Sequence, residues 1–463
     1  MFQRALCLAV AVVALVVCPV SRAARAQQLL RDAETEWFLH KISDPIFEAA
    51  GLSPQAVNIY LLGDRSINAF VPGGQNIVVH SGLLLNLDTV NEIQGIMAHE
   101  TGHITGSHIP RMGEGFNEAL GYQLLGLLLG AAAIAAGGGD AGAGLILGGQ
   151  SMGQRSFLRY RRVQESAADQ AAIRFLNEAG LSGKGLITVF EGFEQRDKAF
   201  GAENFQYVIT HPLSERRLEL ITPKLKDSPH WDDSVSEQNQ RLFDRVKAKI
   251  YGFTYRPDAT LGKYPPSDDS LPARYARVYA YDKALQWDKA LAEIDALIEM
   301  HPEDPYFHEM KGQMLYENGK IDEALPSLRT AANLKPNEPL LQTLLGRALV
   351  AKETPESDRE AVTYLRRAAA MDQNDTLSRY NLAIVYTRLG KPGLANLAGA
   401  ERAFITRNYG AALRQGQIAM RQLEEGTPNW VRAQDIVSST IAQIDPDDLR
   451  RARQRAEDAQ RRR

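Results

Sequence analysis

The residues best equipped for chemistry in this chain are His99-Glu100-Thr101-Gly102-His103. Two histidines four apart on a helix lie one turn above each other and point the same way. Paired neutral imidazoles suit a zinc ion, and three protein ligands with one open position make a catalytic centre rather than a closed structural one. Glu100 then acts as general base, taking a proton from metal-activated water and later passing it to a leaving amine. At about 100° per residue, Ile93, Ile96, Met97 and Ile104 form the buried stripe of this helix, and Glu100 falls inside it. A carboxylate on an apolar stripe is costly unless compensated, and a metal centre compensates it. Gly95, Gly102 and Gly106 form a row beside His99, which weakens a helix but lets another element approach closely. Asp88 is placed to cap its start.

The third ligand admits two plans. One needs a histidine at position 109, which is Ile109, with His108 one place short. The other takes a glutamate from a later helix, and Leu158 to Ala179, closed by Gly180, reads as that helix. On it Glu165 and Asp169 share a face with Leu158, Ala168, Ala172 and Leu176. Glu165 as metal ligand and Asp169 as the acceptor that orients a ligand histidine account for two acids on a small apolar face. The bland alternative is salt bridging to Arg161 or Arg162, which is weak at a surface.

His99-Glu100-x-x-His103 with Glu165-Ser166-Ala167-Ala168-Asp169 resembles the gluzincins related to HtpX and the CAAX-prenyl endopeptidases. Asn68 to Gly74, Gly82-Leu83-Leu84, His211-Pro212 and Arg217 look like parts of the same pattern, in the same order. The likeness is strongest to the BepA-type branch, which is soluble, periplasmic and extended by tetratricopeptide repeats. The resemblance implies an α+β gluzincin-like metalloprotease domain (helices plus a small antiparallel sheet) followed by an all-α repeat solenoid. It implies one Zn2+ on His99, His103 and Glu165, with Glu100, Asp169, His211 and Arg217 as catalytic residues. An edge strand holding Asn68, Ala69 and Phe70 would pair with extended substrate. His211 has two open roles: donating to a tetrahedral oxyanion with help from Arg217, or occupying the metal's open position at rest. His108 matches a common family residue without ligand geometry and reads as packing or as a neighbour of the ligands.

The elements that must position these groups follow from the rest of the chain. Its 463 residues suffice for two or three domains. A net charge of −3 with 24% charged residues gives no sign of a nucleic-acid partner. Residues 1–26 read as a secretory signal, with Arg4, an apolar run from Ala5 to Val17 and cleavage after Ala26. Cys7 and Cys18 both lie within it, which excludes disulfides, cysteine catalysis and thiolate metal sites from the remainder. The peptidase domain is expected over 27–251. It starts with an amphipathic stretch, Ala33 to Ala50, that Pro45 should kink or split. Strands over Val57–Leu62, Ile67–Val71 and Ile77–Val79 form the sheet.

A glycine-rich insertion, about 114–155, reads as a lid hinged at Gly137-Gly138-Gly139; a peripheral membrane contact is the other option. A linker, 252–270, precedes repeats over 271–448. Ala290 and Ala324, Pro302 and Pro336, and Gly312 and Gly346 recur at the 34-residue tetratricopeptide period. A third unit is displaced by three residues, absorbed between Lys352 and Arg359. The tail, 449–463, is basic. By resemblance, the expected protein is a periplasmic zinc endopeptidase. Its partners would be unfolded or misassembled outer-membrane proteins and the β-barrel assembly machinery, the latter met by the repeats. The competing reading is a repeat-based chaperone with a latent protease.

Overall fold

The computed structural model describes residues 29–135, 139–200, 207, 210–212 and 215–444. The stretch read as a secretory signal, 1–26, and the basic tail, 449–463, lie outside these. Two compact units divide the chain: the first contains Leu29–Leu30 and His40–Ser236, the second Arg31–Leu39 and everything described from Glu237.

In the first unit, β1 (Leu29–Leu30), β2 (Asn58–Leu62), β3 (Ala69–Gly73) and β4 (Asn76–His80) form one sheet in the order β1-β2-β4-β3. The sheet is mixed and not antiparallel, because β2 runs parallel to β4. The strand that β4 joins decides this. Gly73 and Gly74, at φ 142° and 58°, turn β3 tightly back into β4. It is then β4 that enters the sheet beside β2 and leaves β3 at the edge. The His80 amide bonds the Asn68 carbonyl at 3.0 Å. By alternation along the ladder, the main-chain groups of Ala69 therefore face away from β4, before the register shifts between Phe70 and Gly73.

Helix α1 (Ala33–Ala49) runs unbroken through Pro45. Phe38, Ile42, Ile46 and Phe47 are all buried, and their packing outweighs the one main-chain donor that Pro45 removes. After α2 (Ser81–Asn86), helix α3 (Val90–Thr105) carries the two-histidine motif. Its cap is Thr89, one residue beyond Asp88: the Thr89 hydroxyl accepts the Glu92 amide while Glu92 accepts the amides of Thr89 and Asp88. A reciprocal box satisfies more orphan donors than a lone Asp88 carboxylate could. Every residue of α3 from Val90 to His103 is buried, so the helix lies in the middle of the unit.

Helix α5 (Gly139–Glu178) crosses α3 at Gly102, where a methyl group would lie 2.7 Å from the Ala168 carbonyl oxygen. Helix α6 (Lys184–Phe200) crosses it at Gly95, where a methyl group would lie 2.7 Å from the Leu186 backbone. The glycine row thus brings two helices onto the motif. Helix α4 (His108–Ala135) and α5 pair as a long antiparallel hairpin. The described residues of the stretch 114–155, read from sequence as a hinged lid, form the outer part of this hairpin, with Gly126, Gly130, Gly142, Gly149 and Gly153 in the seam between its arms; Gly137 and Gly138 of the expected hinge lie outside the described residues. Helix α7 (Glu215–Lys226) packs on α5 and α6.

The second unit is helical among its described residues. It begins with α8 (Glu237–Thr254) and α9 (Pro257–Lys263), the latter within the stretch read as a linker. Helix pairs follow from α10 (Leu271–Lys283) and α11 (Trp287–Met300) through α12 (Pro305–Glu317), α13 (Ile321–Leu334), α14 (Pro339–Ala351) and α15 (Pro355–Met371) to α19 (Pro428–Gln443). Gly312 of α12 receives Leu328 of α13, and Gly346 of α14 receives Leu365 of α15. The two glycines are 34 residues apart and the two leucines 37, which is the three-residue displacement accommodated by the longer α15. Glu34 is buried against Arg245, Lys249 and the Tyr275 hydroxyl, so the segment Arg31–Leu39 is tied to the repeats by charge.

Candidate metal centre

Four side chains from three parts of the first unit converge: His99 and His103 from α3, Glu165 from α5 and His211 from the segment before α7. One ligand atom of each lies within 4.8 Å of the others. His99 Nε2 is 3.1 Å from His103 Nε2, 3.2 Å from His211 Nδ1 and 3.3 Å from Glu165 Oε2. Glu165 Oε2 is 3.2 Å from His211 Nδ1, and Glu165 Oε1 is 3.5 Å from His103 Nε2. A tetrahedral ion with ligands at about 2.0–2.1 Å needs donor separations of roughly 3.3 Å, so the residues present fit such an ion.

Hydrogen bonding from outside settles which nitrogen of each imidazole faces inward. His99 Nδ1 lies 3.0 Å from Asp169 Oδ1. His103 Nδ1 lies 2.9 Å from His108 Nδ1. His211 Nε2 lies 3.3 Å from the Ala69 carbonyl oxygen. Protons on those outer atoms would leave the inner nitrogens of His99, His103 and His211 free to ligate a common centre. His108 reaches back because Ser107 adopts φ 51° and because its ring occupies the space that a side chain at Gly106 would need.

The electrostatics also favour a cation. Burial disfavours charge on His99, but Asp169 and Glu165 outweigh it and push the group up to about 9. Burial likewise opposes charge on Glu165, yet His211 and His99 hold it well below the usual glutamate range. His103 is lowered by burial and by its neighbouring histidines. Glu100 is fully buried with both oxygens unpartnered, and burial raises its proton affinity. Its nearest basic group is His211 Nε2, at 3.5 Å. A buried carboxylate kept free and basic beside a ligand cluster is the arrangement a general base needs.

Arg217 binds Asp169 through Nε and Nη2, each at 2.7 Å, and reaches Glu165 at 3.2 Å and the Pro212 carbonyl at 3.0 Å. Its guanidinium is engaged behind the ligands by Asp169, Glu165 and Pro212. Asn68, Ala69 and Phe70 lie at the start of the edge strand. That edge is already engaged: the Tyr207 amide bonds the Ile67 carbonyl at 3.1 Å, and the Thr210 hydroxyl bonds the Asn68 side chain at 3.1 Å. Sequence reading missed Tyr207, which is fully buried and stacks on His211 at 4.7 Å. Its position one helical turn before His211, whose amide bonds the Tyr207 carbonyl, was the available signal.

The fold and the site define a peptidase domain of the metallopeptidase type: residues 32–224 match Peptidase family M48, and residues 275–339 match the tetratricopeptide repeat. A segment that matches an M48 peptidase is thus followed by helical repeats. It is similar to the beta-barrel assembly-enhancing protease of Escherichia coli K12, 23% identical over 75% of this chain and 71% of that protein. Metalloprotease LoiP of the same organism is 29% identical over 38% of this chain and 65% of its own length. Mitochondrial metalloendopeptidase OMA1 of Saccharomyces cerevisiae is 28% identical over 44% of this chain and 52% of its own length.

Proposed function

We propose that this chain is a zinc-dependent endopeptidase with His99, His103 and Glu165 as metal ligands. The observation that carries this is the convergence of four ligand atoms near tetrahedral spacing beside the unpartnered Glu100 carboxylate. Bound zinc would supply Lewis acidity that activates water and polarises a peptide carbonyl. Glu100 accepts a proton from the attacking water and returns it to the leaving nitrogen. Asp169 holds His99 in its ligating tautomer, Arg217 holds Asp169, and His108 does the same for His103. The outward main-chain groups of Ala69 offer pairing to an extended substrate, so the edge at Asn68, Ala69 and Phe70 would be the substrate-binding strand.

In this arrangement His211 closes the site. It supplies the fourth donor, and its segment lies along the strand edge a substrate would use. The resting enzyme is therefore latent and opens by moving this segment. The name of the Escherichia coli relative supports a role in β-barrel assembly. The signal-like 1–26 supports a periplasmic site of action, where the substrates would be misassembled outer-membrane proteins. The repeats would dock them or the β-barrel assembly machinery. The occupied fourth position favours one second reading, a repeat-based assembly factor in which proteolysis is conditional.

The test is metal content together with cleavage of an unfolded outer-membrane β-barrel protein, wild type against Glu100→Gln. The variant should keep one zinc per chain and lose turnover by roughly 10²–10⁴-fold. Loss of zinc in Glu100→Gln would make Glu100 a ligand and overturn the assignment. Full activity would remove it as the base.

A further inference from the structure

The α4–α5 hairpin is built the opposite way from a helix pair in water. The seam between its arms consists of small residues: Gly126 packs on Gly149, Gly130 on Gly142, and Gly153 on the Ala119 carbonyl. Ile146 and Ile134 reach into the seam beside Gly130 and Gly142, and the leucines point outward. Leu124, Leu127, Leu128, Leu129, Leu145 and Leu147 are exposed, Leu128 by 68% and Leu147 by 64%. The most apolar 18-residue window of α4 is only 17% buried, so it is not a core helix of a soluble domain. Small residues inside and leucines outside is how helices associate in lipid, where apolar surface costs nothing to expose and close backbone approach supplies the attraction.

The direction of exposure selects the occupant. Leu127, Leu128 and Leu129 are consecutive, and at about 100° per residue they cover about 200° of the helix circumference. A protein partner covers one face, whereas hydrocarbon covers all of them. Charge follows the same division along the hairpin axis. Between Ala119 and Gln154 the sequence holds one charged residue, Asp140. At the base, exposed Arg155, Arg159 and Arg162 sit with Glu114 and Glu118, and Phe116 is exposed beside them. Arginines below an apolar segment match anionic headgroups. The apolar arm from Ala119 to Ala135 measures roughly 25 Å, longer than one leaflet and short of the ~30 Å hydrocarbon core. Asp140 thus lies at the far end of the apolar reach, where a thin bilayer brings the opposite headgroups close.

We propose that the distal part of this hairpin inserts into a lipid bilayer from one side and anchors the first unit to a membrane surface. The inference rests on packing and exposure and is independent of the peptidase reading.

The full chain would be mixed with phosphatidylethanolamine–phosphatidylglycerol vesicles, washed at high salt and floated through a density gradient. Wild type should float, and Leu128→Glu/Leu147→Glu should cut the floated fraction by roughly tenfold or more. Both substituted side chains are exposed, so circular dichroism and melting should not change. The variant retains residues 1–26, so the difference between the two proteins reports the hairpin alone. Binding that high salt removes would be headgroup contact only and would overturn insertion. So would equal flotation of the variant, or a wild type that stays unbound. A discrete oligomer without lipid, lost in the double variant, would assign the leucines to a second copy of the chain. Limited proteolysis of wild type gives a check that needs no variant. Vesicles should protect the stretch from Phe116 to Met152, and an unchanged cleavage pattern would overturn the proposal.

Discussion

Both nitrogens of His211 are engaged, which supports the proposed occluding role over oxyanion support. Nε2 is directed to the Ala69 carbonyl, and Nδ1 sits among the inner donors of His99 and Glu165. Neither nitrogen has an N–H left for an oxyanion in this state. His211→Ala should therefore raise basal cleavage and self-cleavage, measured as initial rates on an unfolded β-barrel polypeptide. A fall of roughly a hundredfold, the order expected for one lost oxyanion donor, would instead make His211 a participant in the transition state. Tyr207, stacked on the same ring, should move with it whenever the site opens.

At the scale of elements, the crossing of α3 and α5 sets the ligand geometry, and Gly102 sets the crossing. A methyl group there would stand 2.7 Å from the Ala168 carbonyl oxygen and 2.9 Å from its Cα, so α5 would have to move outward. Asp169 follows Ala168 directly, and Glu165 is less than one turn before it. Gly102→Ala should therefore weaken zinc binding by roughly 10–100-fold, the range seen when groups supporting a ligand are disturbed, as measured by chelator competition. Gly113 of α4 has nothing within 4 Å of an added methyl group. Gly113→Ala is the control and should leave zinc affinity unchanged; equal loss in both would show that the crossing distance is not what matters.

Over the whole molecule, charge is unevenly buried, and the second unit should report it through pH. Burial pushes Glu309 up to about 8 and Glu338 up to about 7. A carboxyl with a folded pKa above its unfolded value of about 4.3 takes up a proton on folding. Its stabilising contribution is complete below that value and disappears as pH rises through the folded pKa. Asp32 and Asp304 are opposite. Burial opposes their charge, but Lys249 and Arg245 respectively outweigh it and hold them below the usual aspartate range. Their support is lost only as pH falls below about 4. The unit should therefore be most stable on the acid side of neutrality and lose about 1.4 kcal/mol per pH unit per proton toward pH 8. Trp37, Trp287 and Trp430 belong to this unit and Trp231 to the other, so tryptophan fluorescence during denaturation reports mainly on the repeats. Glu309→Gln should flatten the slope; a slope identical to wild type would place the titration elsewhere.

The sequence by itself determined what depends on local spacing. The i, i+4 histidines, the Glu165–Asp169 pair, the glycine row on α3 and the 34-residue repeat all follow from helical periodicity, which does not require knowing what the helix meets. The three-residue displacement near Lys352 was legible for the same reason. Tertiary structure decided whatever depends on a partner distant in sequence. The order of strands could not be read, since a tight turn at Gly73-Gly74 says nothing about which strand β4 joins. The capping residue shifted from Asp88 to Thr89 because only the folded Glu92 side chain completes the reciprocal box. Arg217 became a clamp on Asp169, and His108 a partner of His103, through contacts that no spacing encodes. The glycine-rich stretch was the hardest to read. Glycines serve a hinge and a close helix seam equally well, and only three-dimensional packing showed which face the leucines take.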